Sequence, residues 1–270
     1  MRKNLLPIIV ISIMIGFYIP AFAKDSSDFF ANAFLVRDPY FVDSCGAKTD
    51  ANAVLIIREQ KIFEKTDIVY IITHSQGIIE ATVTRILNGC EPFVEEDLAL
   101  LYAPKKIEWL PGIDALIAIK GKKLSEGKIG IVKQYTLGEK ERLFLIEIKK
   151  YLPKDDHVAI DNVLKFVLPD TKNEYIFIGI SHFDPATYKN AGDKVLKNKG
   201  FIFSIKQGIP VLVLEEDDLT NIFTVSKLAN NRVYEILVHS STVYQGSYEL
   251  RFFDGQKFLK DKIFLYQWMD

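Results

Sequence analysis

The feature that most constrains the fold is a pattern of short apolar runs that recurs four times along the chain. Each run opens at an Asp or Asn, is rich in Val, Ile, Tyr and Phe, and is followed by a polar stretch, a Gly and a second apolar run. The openings are spaced 47, 59 and 58 residues apart, at Asp67, Asp114, Asn173 and Asn231. β-Branched and aromatic residues favour strands, and this spacing is near the length of one propeller blade. The pattern predicts a duplicated unit of paired strands.

The second run of a unit alternates between apolar and polar residues. Glu249 and Arg251 interrupt the apolar residues of 248–252, and Ser204 and Lys206 do the same in 201–206. A period of two predicts antiparallel strands with one buried face and one face in water. Turn residues are expected to close the strand pairs at Asn88-Gly89, Gln207-Gly208 and Asp254-Gly255. A helical segment is expected only near 27–35.

The chain has no linker and no block of like charge beyond residue 24, so a single domain over 24–270 is expected. The predicted fold class is all-β, with an antiparallel, repeat-built, propeller-like domain. A β-sandwich or a barrel is the alternative.

Residues 1–23 have the composition of a cleaved signal peptide. A short basic start, Met1–Asn4, precedes an apolar stretch over 5–18, and Ala21-Phe22-Ala23 follows Pro20. Small residues at these two positions are typical of a signal-peptidase site, so the mature chain is expected to begin at Lys24. The alternative is a membrane anchor, for which the apolar stretch is short. We therefore expect a periplasmic or secreted protein with no membrane span after cleavage.

Charge and composition exclude several classes of protein. The chain has 34 Lys and Arg against 35 Asp and Glu, and removal of residues 1–23 leaves 32 against 35. This balance gives no basic surface for nucleic acid. An apolar fraction of 49% and an aromatic fraction of 12% exclude a disordered scaffold.

The two cysteines, Cys45 and Cys90, both lie in the exported part of the chain. An even number of cysteines in an oxidising compartment favours one disulfide. A metal site and a pair of buried free thiols are the alternatives, although neither cysteine has a second Cys or a His at ligand spacing.

The last unit resembles a known repeat. In 231–258, a strand containing Tyr-Glu-Ile-Leu-Val leads through Gly246 to Tyr-Glu-Leu-Arg-Phe-Phe-Asp-Gly, which is similar to a blade of the FG-GAP/VCBS-type β-propellers. Residues 173–214 match more loosely. The resemblance implies a scaffold that binds partners or ligands on one face. The calcium loop that opens many such blades is replaced here by Leu228–Arg232.

One segment of the sequence is compatible with an enzymatic function. The apolar run 68–72 leads into Thr-His-Ser-Gln-Gly, which is similar to the nucleophile turn of α/β-hydrolases. On that interpretation Ser75 is the nucleophile, and Asp217 or Asp218 and then His239 complete the triad. Thr73 stands where such a turn has Gly, and the β-branched residues of 78–86 favour a strand over the helix that should follow.

Three histidines lie where the first strand of a unit is expected to end: His74, His182 and His239. If the units stack as blades, these imidazoles share one rim and form a candidate site for a divalent metal. The alternative is three unconnected surface histidines.

Aromatic residues near loops are the candidate ligand contacts, namely Trp109, Tyr188 and Tyr244, with Trp268 also expected to be exposed. The sequence has no phosphate-binding loop, dinucleotide-binding motif or zinc-protease motif, so no cofactor is expected. These features favour a non-enzymatic protein that binds an unidentified protein or small ligand through a loop face. A serine hydrolase is the alternative.

Overall fold

The structure is a computed structural model that describes residues 29–39, 52–57, 63–90, 93–109, 111–112, 114–121, 123–124, 128–152, 157–171, 173–183, 196–229, 232–242 and 245–269. Within these ranges, the side chains of 57, 88–90, 93–98, 157, 182–183, 196 and 269 are outside the description. The predicted signal peptide, 1–23, lies outside the described residues.

The first six strands close into a barrel. They are β1 (Ala33–Arg37), β2 (Ala53–Ile57), β3 (Ile68–Ile72), β4 (Ile78–Cys90), β5 (Phe93–Tyr102) and β6 (Ala115–Lys120). Their order around the barrel is β1-β2-β5-β4-β3-β6, and β6 pairs back to β1. Every pairing is antiparallel. Small and branched side chains such as Val36, Leu55 and Ala118 fill the interior.

A five-stranded antiparallel sheet follows. Its strands are β7 (Ile131–Gln134), β8 (His157–Val167), β9 (Glu174–Phe183), β10 (Leu196–Lys206) and β11 (Ile209–Asp217), in the order β11-β10-β9-β8-β7. Between β7 and β8, a 3-10 helix (Gly138–Lys140) leads into helix α1 (Glu141–Ile148). This helix buries Phe144 and Ile148 on one face of the sheet, where the Phe144 and Phe203 rings meet edge to face at 5.2 Å.

The last four strands form a second antiparallel sheet. They are β12 (Leu219–Ser226), β13 (Tyr234–Ser241), β14 (Gln245–Phe253) and β15 (Phe258–Met269), paired in chain order. A single residue, Asp218, links β11 to β12 and has a φ of 63°. Strands that pass from one sheet to another through such a bend are typical of orthogonal sheet packing.

Two glycines allow β12 to cross close over the five-stranded sheet. Gly179 and Gly200 are register partners on β9 and β10. A Cβ on Gly179 would lie 2.7 Å from the carbonyl oxygen of Thr220, and a Cβ on Gly200 would lie 2.7 Å from that of Leu219. Any larger residue would therefore push the two sheets apart.

Strands β12 to β14 of the four-stranded sheet have buried residues on both faces. On one face, Phe252 lies against Phe30 and Tyr248 bonds to Arg37 of the barrel. On the other face, Phe253 meets Tyr175 of the five-stranded sheet at 5.9 Å. The layers therefore run from the barrel through the four-stranded sheet and the five-stranded sheet to α1.

The outer wall of the barrel also joins the shared core. In β2, Ala53 and Leu55 point into the barrel, whereas Val54 and Ile56 pack in the cluster that includes the four-stranded sheet. Because β2 and β6 are buried on both faces, their sequences are nearly continuous apolar runs, although both strands are paired in antiparallel fashion.

The all-β, antiparallel prediction is confirmed in the described residues. The strands form a closed barrel and two further sheets in place of a ring of blades, because β3 and β6 pair with each other instead of opening separate units. The Gln207-Gly208 and Asp254-Gly255 turns are confirmed. The Asn88-Gly89 turn is wrong, since β4 continues through both residues. Helix α1 was not predicted.

The expectation of a wet face on 248–252 is also wrong. The Glu249 side chain is 3% exposed and the Arg251 side chain 12%. Arg251 pairs with Glu216 of β11 at 2.8 Å, and Glu249 pairs with Lys262 of β15 at 2.9 Å. The alternating polarity here reflects partly buried ion pairs instead of a fully solvated face.

Among the described residues, no helix has the length and apolar character needed to cross a membrane.

Candidate functional site

A groove lies where the barrel meets the two sheets, and we call it the junction groove. Its volume is about 600 Å³. Its polar lining comes from the Pro111–Gly112 turn before β6, Gln134 of β7, Asn162 of β8, Thr220 and Asn221 of β12, and His239 of β13. Grooves of this size, formed where separate structural units meet, are common ligand sites.

A chain of amide hydrogen bonds fixes the wall of the junction groove. Asn162 Nδ2 donates to Asn221 Oδ1 at 2.6 Å, and Asn221 Nδ2 donates to the Gly112 carbonyl at 2.5 Å. Gln134 Nε2 donates to the carbonyl oxygen of Pro111. These bonds tie the barrel turn to three strands of the two sheets. Asn162 Oδ1 and Gln134 Oε1 have no hydrogen-bond partner among the described residues.

Both asparagines sit at irregularities in their strands. The register of β8 against β9 shifts between Ile160 and Asn162, and that of β12 against β13 shifts between Leu219 and Asn221. A β-bulge redirects a side chain and is frequent beside functional sites. The two bulges bring the Asn162 and Asn221 amides to the groove.

His239 is fixed beside the groove by a hydroxyl and two rings. Its Nδ1 lies 2.7 Å from Thr220 Oγ1, which also donates to the His239 carbonyl at 3.0 Å. The imidazole stacks on Tyr248 at 4.9 Å and on Trp268 at 5.4 Å. Its Nε2 is buried and has no hydrogen-bond partner in the described part of the chain.

An ion pair lies behind this ring stack. Arg37 Nη2 contacts Asp114 Oδ2 at 2.6 Å, and Arg37 Nη1 donates to the Tyr248 hydroxyl at 2.6 Å. Burial lowers the pKa of His239 to about 4, with Asp114 opposing this effect and Arg37 adding to it. Burial also raises the pKa of Tyr248. Both side chains are therefore neutral at neutral pH.

The three residues of the hypothetical catalytic triad belong to the barrel, the five-stranded sheet and the four-stranded sheet, respectively. Ser75 is exposed in a hairpin turn between antiparallel β3 and β4, a turn closed by bonds from Thr73 to Gly77. A nucleophile turn requires a strand that leads into a helix. Asp217 pairs with Lys199 at 3.2 Å at the end of β11, while His239 bonds to Thr220.

The three histidines of the predicted rim also belong to three different parts of the fold, the barrel, the five-stranded sheet and the four-stranded sheet. His74 is fully buried in the β3–β4 turn, and both its ring nitrogens lack partners among the described residues. Burial lowers its pKa, and Glu108 opposes that effect. His182 lies in β9 with its side chain outside the description, and His239 lies in β13. No group of three metal-ligating side chains occurs among the described residues.

Some of the remaining predicted site residues are half-buried, and the others lie outside the described residues. Trp109 is half-buried against the barrel core, and Trp268 is half-buried on His239. Tyr188 and Tyr244 lie outside the described residues, as does Cys45. The backbone of Cys90 pairs with Phe93, but its side chain is not described. The Cys45–Cys90 disulfide therefore stays a prediction.

Sequence reasoning missed most of this site. Arg37, Asn162 and Asn221 each lie in a different strand, so no local spacing groups them. The only available signal was the presence of Asn within two otherwise strand-like segments, where it is disfavoured.

A larger groove of about 790 Å³ lies where the β8–β9 and β14–β15 turns meet Tyr175 and Tyr234. Among the described residues, one hydrogen bond crosses this larger groove, from the Tyr175 hydroxyl to the Gly255 carbonyl at 3.2 Å. The junction groove is the stronger candidate, because a continuous network of hydrogen bonds fixes its wall.

No protein-family model, curated protein or solved structure matches this chain.

Proposed function

We propose that this protein is an exported, non-enzymatic binding protein that holds a small polar ligand in the junction groove. One observation carries the proposal. The amides of Asn162 and Asn221 are held in place by hydrogen bonds to each other and to Gly112, while Asn162 Oδ1 remains without a described partner. Preorganised acceptors of this kind bind a ligand at little cost in side-chain ordering.

The placement of the candidate catalytic residues supports binding in place of catalysis. Ser75, the candidate nucleophile, lies in a hairpin turn, and the buried His239 is bonded to Thr220. Export is part of the proposal and depends on residues 1–23. An N-terminus other than Lys24 on protein purified from the cell envelope would contradict cleavage at that site.

The test is a thermal-shift screen of the mature protein with neutral sugars, amino acids, nucleosides, carboxylates and amines. A ligand of the junction groove raises the Tm of the wild type, and at the same concentration it raises the Tm of Asn162→Ala and Gln134→Ala by less. Asn173→Ala is the matched control, because Asn173 lines the larger groove.

A screen without any ligand whose effect depends on Asn162 or Gln134 would overturn the proposal. Labelling of the wild type, but not of Ser75→Ala, by a fluorophosphonate probe would overturn its non-enzymatic part.

A further inference from the structure

The lining of the junction groove is almost free of charge. Its one formally charged side chain among the described residues is Asp161, which is exposed and accepts a 2.5 Å hydrogen bond from Ser181 Oγ. The Arg37–Asp114 pair lies behind the ring stack and is internally neutralised. An anionic ligand would leave water without gaining an opposite charge, which is unfavourable. A cationic ligand has only the exposed Asp161 carboxylate as a partner, and exposed ion pairs contribute little.

The groove offers hydrogen-bond donors as well as acceptors. The amide nitrogens of Asn162, Asn221 and Gln134 each carry two N–H groups and each donates one described hydrogen bond. Asn162 Oδ1 and Gln134 Oε1 are amide oxygens without partners among the described residues, and the Tyr135 hydroxyl both donates and accepts. A carboxylate oxygen can accept from the amide N–H groups but has no proton to donate to the amide oxygens. A hydroxyl group pairs with both, because it donates one proton and also accepts.

Apolar surface lies beside these acceptors. Tyr135, Ile160 and Val163 line the same groove, and all three are partly buried against the cluster under α1. A ligand that presents C–H groups on one side and hydroxyls on its rim fits this combination. Aromatic and aliphatic side chains supply apolar contact, and a few placed polar groups fix orientation.

We infer that the junction groove takes a neutral saccharide. This inference rests on the proposed function, because it names the class of ligand for the same groove. The hydroxyls donate to Asn162 Oδ1 and Gln134 Oε1, and the sugar ring packs on Tyr135. A ligand with a fixed negative charge is disfavoured, because the described lining of the groove has no positively charged side chain.

Isothermal titration calorimetry with matched sugars tests the ligand class. The neutral probes are cellobiose, maltotriose and N,N′-diacetylchitobiose. The charged probe is digalacturonate, which is anionic. At least one neutral probe binds the mature protein, and digalacturonate binds at least tenfold more weakly. Loss of one hydrogen bond in Asn162→Ala or Gln134→Ala weakens the neutral probe about tenfold.

The control variant is Asn173→Ala, which leaves affinity unchanged. Gln134 is exposed, so Gln134→Ala tests the groove even if Asn162→Ala fails to fold. Absence of binding by every neutral probe would overturn the saccharide inference. A charged ligand whose binding depends on Asn162 and Gln134 would overturn the inference and leave the proposed function intact. Saccharide binding that is unchanged in both Asn162→Ala and Gln134→Ala would overturn the saccharide inference and the proposed function.

Discussion

The Tyr248 hydroxyl accepts a 2.6 Å hydrogen bond from Arg37 Nη1, and this contact joins the four-stranded sheet to the barrel. Both side chains are mostly buried, and the Arg37 guanidinium also lies 4.9 Å from the centre of the Tyr248 ring. The contact spans 211 residues of sequence. This hydrogen bond holds Tyr248 in the stack that its ring forms with His239 and Trp268 beside the junction groove.

Tyr248→Phe removes the acceptor and keeps the ring. We expect the free energy of unfolding to fall by about 1–3 kcal/mol, because a buried donor to a hydroxyl loses its partner. Urea denaturation measures the change, with exposed Tyr102→Phe as the control. In a double-mutant cycle with Arg37→Met, the coupling energy should be about 0.5–3 kcal/mol. Strict additivity of the two substitutions would contradict the contact.

Acidification should destabilise the protein through its buried histidines. The pKa of His239 falls to about 4 in the folded protein, whereas an unfolded chain keeps a value near 6.5. Between these values the unfolded state binds more protons, so stability decreases as the pH falls from about 6.5 towards 4. The loss that His239 contributes at pH 4 is about 3 kcal/mol. His74 acts in the same direction, because burial also lowers its pKa.

The measurement compares urea unfolding of the wild type and His239→Phe between pH 4 and 7.5. Carboxylates such as Glu235 titrate in both proteins, so their contribution cancels when the free energies of unfolding of the two proteins are subtracted. The stability of His239→Phe relative to the wild type should rise as the pH falls. Parallel profiles would mean that His239 has an unperturbed pKa.

Gly200→Ala should separate the two sheets at their crossing. The added Cβ would lie 2.7 Å from the Leu219 carbonyl oxygen and 2.8 Å from Leu219 Cγ. We expect a loss of about 1–3 kcal/mol from overpacking, which exceeds the usual gain from replacing Gly by Ala. Thermal unfolding measures it, and Ser204→Ala on the same strand serves as the control. An unchanged Tm for Gly200→Ala would refute the close approach.

Glu235 should be essential to the connection between β12 and β13. Its carboxylate is 1% exposed and accepts hydrogen bonds from Ser226 Oγ and from the backbone nitrogens of Leu228 and Ala229. Glu235→Ala leaves these donors without a partner, so we expect a loss of about 3 kcal/mol or more. Glu235→Gln retains one acceptor oxygen and should lose less. Equal losses for the two variants, measured in urea, would show that the bonds contribute little.

We predict a Cys45–Cys90 disulfide in the protein that lacks residues 1–23. Non-reducing peptide mapping should yield one linked peptide, and reduction should lower the free energy of unfolding by about 2–4 kcal/mol. Cys45→Ser and Cys90→Ser should have the same effect as reduction. Two thiols that react with iodoacetamide in the native protein would contradict the prediction.

The local sequence pattern predicts where several strands begin, but it does not predict which strands pair with each other. Asp67, Asp114 and Asn173 each precede a strand by one residue, as the recurring pattern predicts. β-Propensity is a local property, but strand pairing depends on partners far away in sequence. β3 therefore pairs with β6 in a closed barrel, and β9 joins a different sheet.

The candidate site was harder to predict than the strands. His239 stood out in the sequence, but its role depends on Thr220, Tyr248 and Trp268, which reach it only through three strand pairings. The amides of Asn162 and Asn221 meet because each sits at a bulge. Bulges depend on the partner strand, so a single segment does not reveal them.

The position of the four-stranded sheet between two other layers decides how the protein can be dissected. A truncation that removes the barrel would expose the Leu237 face of β13, and one that removes the five-stranded sheet would expose the Val238 face. Either fragment would present a broad apolar surface and is expected to aggregate. Work on individual regions of this protein therefore calls for point substitutions in the intact chain.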